Sequence, residues 1–213
     1  MKFEYTEVFN FKGAFRGMRN AHNSWDKSDS YRGYSKFVLG DKDKGLAQRL
    51  IKAGTDHSKF MRQIMICVDI TAPLYWWKEF DTYKVGTVAN STSTMHKLSD
   101  TPITIDCFEI DNDFPTDDIM NKKILSVIND CEALRREFIK TKNKAYWELL
   151  IKLLPESWLQ KRTVTLNYQV VRSMRKARKN HKLDEWSIDF MNWIDTLPYS
   201  EELIKFDDIK RSN

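Results

Sequence analysis

Pro73 constrains this chain more than any other residue. A proline has a fixed φ and no backbone N–H, so it fits neither the interior of a central strand nor that of a helix. Before it lies "QIMICVDIT" (Gln63 to Thr71), β-branched and apolar, which reads as a buried strand. After it lies "LYWWKEFDTYKV" (Leu74 to Val85), which reads as a helix with the proline in its tolerated first turn. Helical spacing puts Leu74, Trp77 and Asp81 on one stripe, and Gly86 ends or loosens the helix. The adjacent tryptophans Trp76 and Trp77 read most simply as core or subunit-interface aromatics. A patch of small polar residues follows: Thr87, Asn90, Ser91, Thr92, Ser93 and Thr94.

The flanking sequence supplies few further strands and many helices. Phe3 to Phe11 reads as a strand, "GAFRGMRNAHNSW" as a short helix with Arg16 and Arg19 close to one face, and "DKSDSYRGYSKFVLGDKDKG" as a polar loop. Leu46 to Gly54 reads as an amphipathic helix stopped by its glycine. Ile119 to Asn143 predicts a long helix with Ile124, Val127, Ile128, Cys131, Leu134 and Phe138 on one side, and Ala145 to Leu154 a second one closed by Pro155. An extended piece, Thr163 to Leu166, leads into a basic helix, Tyr168 to Lys179. Asp184 to Leu197 spaces Trp186, Phe190, Trp193 and Leu197 for burial, with Asp184 as a cap. The expected fold is α+β: a small mixed or antiparallel sheet, several helices and a long central one, with strands too few for a doubly wound sheet. One domain is expected over residues 1–200, followed by a polar tail at 201–213.

Several chemistries have no support in the residues. The net charge of +5 permits an anionic ligand without requiring nucleic acid. The uncharged stretch Ile70 to Trp77 is far too short to span a bilayer. Cys67, Cys107 and Cys131 are odd in number and widely spaced, which suggests free thiols in a reducing compartment. The N-terminal "MKFEYTEVFNF" lacks the apolar run of a secretion signal, so the cytoplasm is the expected location, with no membrane partner. His22, His57, His96 and His181 lack i,i+4 spacing, and no metal is expected. There is no phosphate-cradling glycine loop and no nucleophile elbow. The basic run Arg172 to Lys182 and the acidic run Asp106 to Asp118 read first as solvated faces or loops.

A function is suggested by likeness. "KGLAQRLIKAG … ICVDITAPLYWWKEFDTYKVGTVANSTSTMHKL" resembles the central block of the flavin-dependent thymidylate synthases, the ThyX family. In that family an Ala-Pro pair opens a helix bearing an Arg-His-Arg motif, and a polar loop follows. The stretch Ala72 to Leu98 lies on that pattern without a gap. Leu154-Pro155, Thr165-Leu166-Asn167 and Arg178 are similar to the later block, and Ser24-Trp25-Asp26 to the end of the family's first helix. The signature is altered. Thr82, Tyr83 and Lys84 stand in place of Arg-His-Arg, and Thr87, Ala89, Asn90 and Thr92 in the loop. Thr94 replaces the arginine that clasps the nucleotide phosphate, and a hydroxyl cannot offer a guanidinium's fork. Ile151 and Gln169 replace two further arginines.

The resemblance implies a ThyX-like fold, a homotetramer, and FAD stacked on a pyrimidine nucleotide. It also implies conversion of dUMP to dTMP with methylenetetrahydrofolate and NADPH. By the same resemblance Arg178 is the catalytic residue, stabilising charge on the uracil ring and contacting the nucleotide. Ser24, Ser58, Lys84 and Asn167 are flavin-side contacts, and Lys78, Glu79 and Thr92 nucleotide-side contacts. From the residues alone, Arg178 reads equally as a solvated helix position, Lys84 as a helix-end charge, and Asn167 as a satisfied buried amide. Two functional readings stay open. One is a ThyX-like protein with weak or altered synthase activity. The other is a non-catalytic module that holds a nucleotide or a partner on the same fold. Nucleic acid is not an expected partner; a weaker third reading would make Arg172 to Lys182 a nucleic-acid patch.

Overall fold

The computed structural model describes residues 1–110 and 118–206, with the backbone alone at 96, 118, 120 and 121. Residues 111–117 of the acidic run and 207–213 of the expected tail lie outside the described residues. The strands are β1 (Lys2–Phe9), β2 (Tyr31–Arg32), β3 (Phe37–Val38), β4 (Met65–Pro73), β5 (Val88–Ser91) and β6 (Leu159–Asn167). The helices are α1 (Phe11–Met18), α2 (Asp41–Lys52), α3 (Leu74–Phe80), α4 (Thr94–Lys97), α5 (Asp118–Thr141), α6 (Lys144–Leu153), α7 (Tyr168–Arg178) and α8 (Met191–Thr196). Four strands form a sheet in the order β1-β4-β6-β5, and β2 pairs antiparallel with β3. The α+β class is therefore as expected. No helix among the described residues is long and apolar enough to cross a membrane.

The chain divides into two compact units. The smaller comprises the described residues of Met1–Lys2, Ile70–Thr82 and Asn90–Arg162; the larger, those of Phe3–Asp69, Tyr83–Ala89 and Thr163–Asn213. Strand β4 alternates half-buried and buried side chains, with Ile66, Val68, Ile70 and Ala72 covered, the period-2 signature of a pleated strand.

In the smaller unit Pro73 is the last residue of β4 and the N-cap of α3, with extended backbone (φ −69°, ψ 155°), so it closes the strand rather than sitting inside the helix. The N–H groups of Leu74 and Tyr75, orphaned at the helix start, donate to the carbonyls of Trp158 and Glu156 at 3.1 and 3.2 Å. Helix α3 stops at Phe80 instead of Val85. The N–H and Oγ1 of Thr82 both turn back to the Glu79 carbonyl, at 3.2 and 2.7 Å. Trp76, Trp77 and Phe80 are buried and pack ring against ring with centroids 4.9–5.3 Å apart, which supports the core reading of the tryptophans. The Trp77 indole N–H donates to the Gln160 carbonyl at 2.9 Å. A second cluster gathers Leu98, Ile103, Phe108, Ile128, Cys131 and Leu150. Helix α5 contributes Ile128 and Cys131 to it, whereas Val127, expected on the same side, is 44% exposed. Glu132 ties this helix down: it accepts from the Ile103 N–H at 2.8 Å and from Arg135 and Arg136.

In the larger unit the expected polar loop after α1 contains the β2–β3 hairpin, and α2 begins at Asp41 rather than Leu46. Its start is set from a distance, since Asp29 accepts from the N–H groups of Lys42 and Asp43 at 2.8 and 3.0 Å. Strand β6 runs from Leu159 to Asn167, well beyond the expected extended piece. A π-helical stretch, Glu185–Phe190, precedes α8 and buries Trp186 and Phe190, but the Asp184 side chain makes no cap bond. The segment expected to open the polar tail forms a further π-helical stretch, Ser200–Lys205, with Leu203 and Ile204 fully buried. The three cysteines are unbonded, Cys131 buried and the others half-buried.

Candidate functional site

Every residue that the resemblance assigns to the flavin side, and Arg178, lies in the larger unit. The segment carrying Lys84 runs along α7. The Tyr83 hydroxyl accepts from Arg178 Nε at 3.1 Å, at the last turn of the helix. At the first turn, a Cβ added to Gly86 (φ +83°) would come within 2.8 Å of Asn167 Nδ2 and 3.2 Å of Val170 Cγ2. Only glycine combines that backbone with that approach. Lys84 stands between these two anchors, exposed and without an ion-pair partner among the described residues.

Asn167 is the N-cap of α7: its Oδ1 accepts from the Val170 N–H at 3.0 Å, and the residue is 6% exposed. The cap uses the oxygen and leaves the amide NH2 turned to Gly86. Arg178 is half-buried rather than solvated. Its guanidinium lies 5.0 Å from the Trp186 ring and 5.7 Å from the Tyr83 ring. Tyr83, at the centre of the altered motif, thus holds the arginine through ring and hydroxyl together.

Ser58 is buried, and its hydroxyl donates to Gln169 Oε1 at 3.1 Å, linking the segment before β4 to the first turn of α7. Its neighbours His57 and Lys59 line a cavity of about 640 Å3, which Ser24 also borders. Arg19 sets the position of Ser24. Its Nη1 donates to the Ser24 carbonyl at 3.2 Å, while Nε and Nη2 hold Asp43 at 2.6 Å. Burial would raise the Asp43 carboxyl, but hydrogen bonds from Ser30, Ser28 and Arg19 outweigh it and hold the group below the usual carboxylate range. The cavity wall is cationic. Among the described residues Lys27, Arg49 and Lys59 face it without an ion pair, and Asp56 is its single carboxylate. Such a concavity favours an anion. Sequence reasoning missed Asp43, Asp29 and these cations. The available signal was an aspartate in the first turn of an amphipathic helix, opposite Arg19.

The nucleotide-side residues Lys78, Glu79 and Thr92 lie in the smaller unit. Lys78 Nζ pairs with Glu156 Oε1 at 2.6 Å. The Thr92 N–H and hydroxyl both donate to the Lys161 carbonyl, at 2.9 and 3.2 Å. Glu79 is half-buried, its carbonyl holding Thr82. The hydroxyl patch is largely structural. Thr87 donates to the Tyr83 carbonyl at 2.6 Å, Val88–Ser91 form an exposed edge strand, and Thr94 begins α4. Among the described residues no group of three His, Cys, Asp or Glu could hold a metal ion.

The sequence matches no family model and no curated protein. Among solved structures it is similar to a flavin-dependent thymidylate synthase ThyX from Helicobacter pylori complexed with FAD and dUMP. That likeness has a TM-score of 0.70 and 17% identity, over 99% of this chain and 100% of that one. A second structure, Thymidylate Synthase X (ThyX) from Helicobacter pylori with FAD and dUMP, gives a TM-score of 0.71 at 16% identity over the same shares. At such identity the likeness speaks for architecture alone, and the architecture of this chain is that of the ThyX flavin-dependent thymidylate synthases.

Proposed function

We propose that this protein binds a flavin dinucleotide, with a pyrimidine nucleotide as second ligand, and that its thymidylate synthase activity is weak or altered. One observation carries the reading: in a chain of this fold, the Tyr83–Gly86 segment, which carries Lys84, is anchored against α7 at Asn167 and Arg178. The residues fit FAD. Lys27, Arg49 and Lys59 offer charge to a diphosphate from a cavity bordered by Ser24, and Ser58 and Gln169 brace its wall against α7. Lys84 and the Asn167 amide are the donors for the flavin ring. Bound flavin would supply the hydride for conversion of dUMP to dTMP, with NADPH and methylenetetrahydrofolate as co-substrates. Arg178, kept in place by Tyr83 and Trp186, would stabilise negative charge on the pyrimidine. The assembly would be a homotetramer and the location the cytoplasm.

The alternative, a non-catalytic nucleotide- or partner-binding module, is favoured by one finding. Lys78 and Thr92 spend their polar atoms on Glu156 and Lys161, and the arginine positions at Thr82 and Thr94 bear no charge. Visible absorbance of the purified protein, titration with FAD and with dUMP, and tritium release from dUMP test both readings. Bound flavin with slow tritium release supports the proposal. Nucleotide binding without flavin leaves the module, and failure to bind either ligand overturns the proposal and the nucleotide-binding form of the module.

A further inference from the structure

The β2–β3 hairpin and the adjoining face of α1 carry a second surface beside the proposed flavin cavity, with Arg19 in the wall of both. Two neighbouring concavities, of about 760 and 190 Å3, have Lys12, Arg32 and Phe37 in common and together are called the trough of the larger unit. Lys12, Arg16, Arg32 and Lys36 line it. All four are exposed, and none makes an ion pair among the described residues. Among the described residues no carboxylate lines either concavity. Aromatic rings stand along the same trough instead of being withdrawn into the core. Tyr34 at the hairpin tip is 109% exposed, Tyr31 61%, Trp25 50% and Phe9 46%.

Isolated exposed aromatics need no explanation, but four beside four unneutralised cations do. The hairpin is built to present them. The Gly33 N–H donates to the Lys36 carbonyl at 2.9 Å, which folds the tip so that Arg32 and Lys36 flank Tyr34. Phe37 anchors the base, stacked on Phe11 at 5.6 Å, and the Tyr199 hydroxyl donates to its carbonyl. Cations spaced along a trough match a ligand with repeated negative charge, and exposed rings match one with repeated flat apolar groups. Single-stranded nucleic acid has both. A second copy of this chain is a poor occupant, because a two-fold contact through this face would set the four cations against themselves.

The geometry points to a binding site for single-stranded nucleic acid along Phe9–Lys12, Trp25 and the 31–37 hairpin, with bases stacking on Tyr34 and Tyr31 and phosphates on Lys12, Arg16, Arg32 and Lys36. Fluorescence anisotropy of the full chain with labelled oligothymidylate and oligouridylate of about 15 nucleotides tests it. Each should bind more tightly than a duplex of the same length. The logarithm of affinity should fall with the logarithm of salt with a slope of about −3, as four phosphate contacts to a single strand require. Tyr34→Ala, at a tip that supports no core, should weaken binding roughly tenfold at unchanged thermal stability. Arg32→Ala with Lys36→Ala should flatten the salt slope by about 1.4. Preference for DNA over RNA, or the reverse, would identify the natural strand, and binding of either supports the site. Absence of binding at about 50 mM salt overturns it. So does full affinity in Tyr34→Ala, or loss of affinity through Lys179→Glu in the basic run instead. A change of oligomeric state in Tyr34→Ala also overturns it, since the face would then be a subunit contact.

Discussion

Asn167 carries two assignments that substitution can separate. Structurally its Oδ1 caps α7 by accepting from the Val170 N–H at 3.0 Å. In the proposed function its amide NH2, held beside Gly86, meets the flavin. Asn167→Ala removes both. A lost side-chain cap costs about 1–2 kcal/mol here, the upper range applying because the residue is only 6% exposed and water cannot readily replace the bond. For a chain of this size that corresponds to a fall in melting temperature of about 2–8 °C. Asn167→Asp keeps the acceptor and loses the donor. A carboxylate at a helix N-terminus gains about 0.3–1 kcal/mol from the dipole, which offsets part of its desolvation, so Asp should melt within about 2 °C of the parent. Flavin affinity should nevertheless fall roughly tenfold in the Asp variant, since the donor is gone and a negative charge faces the ligand. Differential scanning calorimetry and flavin titration on the same samples provide the two readouts. An Ala variant that melts with the parent would refute the capping argument. An Asp variant that binds flavin with parental affinity would refute the ligand contact while leaving the cap intact.

Two further substitutions probe the smaller unit. The Arg135 hydrogen bond, opposed by burial and reinforced by the Ile103 N–H and Arg136, lowers the Glu132 carboxyl from 4.5 to about 2. Its stabilising contribution is therefore complete above pH 4.5 and is lost as the pH falls through about 2. Glu132→Gln should reduce stability near neutral pH by up to about 3 kcal/mol and flatten the acid limb of the stability curve; an acid limb unchanged in urea melts from neutral pH down to pH 2 would refute this. Arg162 lies 4.2 Å over the Trp77 ring, 2.8 Å from Asp81 and 2.9 Å from Gln160 Oε1. Arg162→Lys keeps the charge but loses the planar stack and the second bond, and should cost about 1–2 kcal/mol in urea unfolding; a neutral result would show that the stack contributes nothing.

The resemblance names candidate residues by their order along the chain, which is legible without a fold. What each named residue does was less legible. Asn167 is buried with its side-chain oxygen bonded, yet its role as a cap depends on where β6 ends, and β6 is longer than its β-branched centre suggests. Arg178 sits in a strongly cationic run, so its neighbours predicted solvent. It is half-buried because Tyr83, far away in sequence, supplies a ring and a hydroxyl. Thr92, a ligand contact by the resemblance, donates through its hydroxyl to the carbonyl of Lys161 in β6, a partner that residue order does not reveal.

The sequence by itself determined the elements whose cause is local. Pro73 forced a change of structure between an extended run and a helical one, and apolar periodicity marked α5 and the Trp186–Leu197 segment. Tertiary structure alone decided the β2–β3 hairpin inside a polar stretch, the start of α2 under Asp29, the burial of Asp43 against Arg19, and the clasp of Arg178 by Tyr83. Periodicity and backbone restriction act between residues a few positions apart, so they can be read along the chain. A buried ion pair or a ring under a guanidinium joins residues tens of positions apart, and its free energy exists only once the fold has removed water from between them.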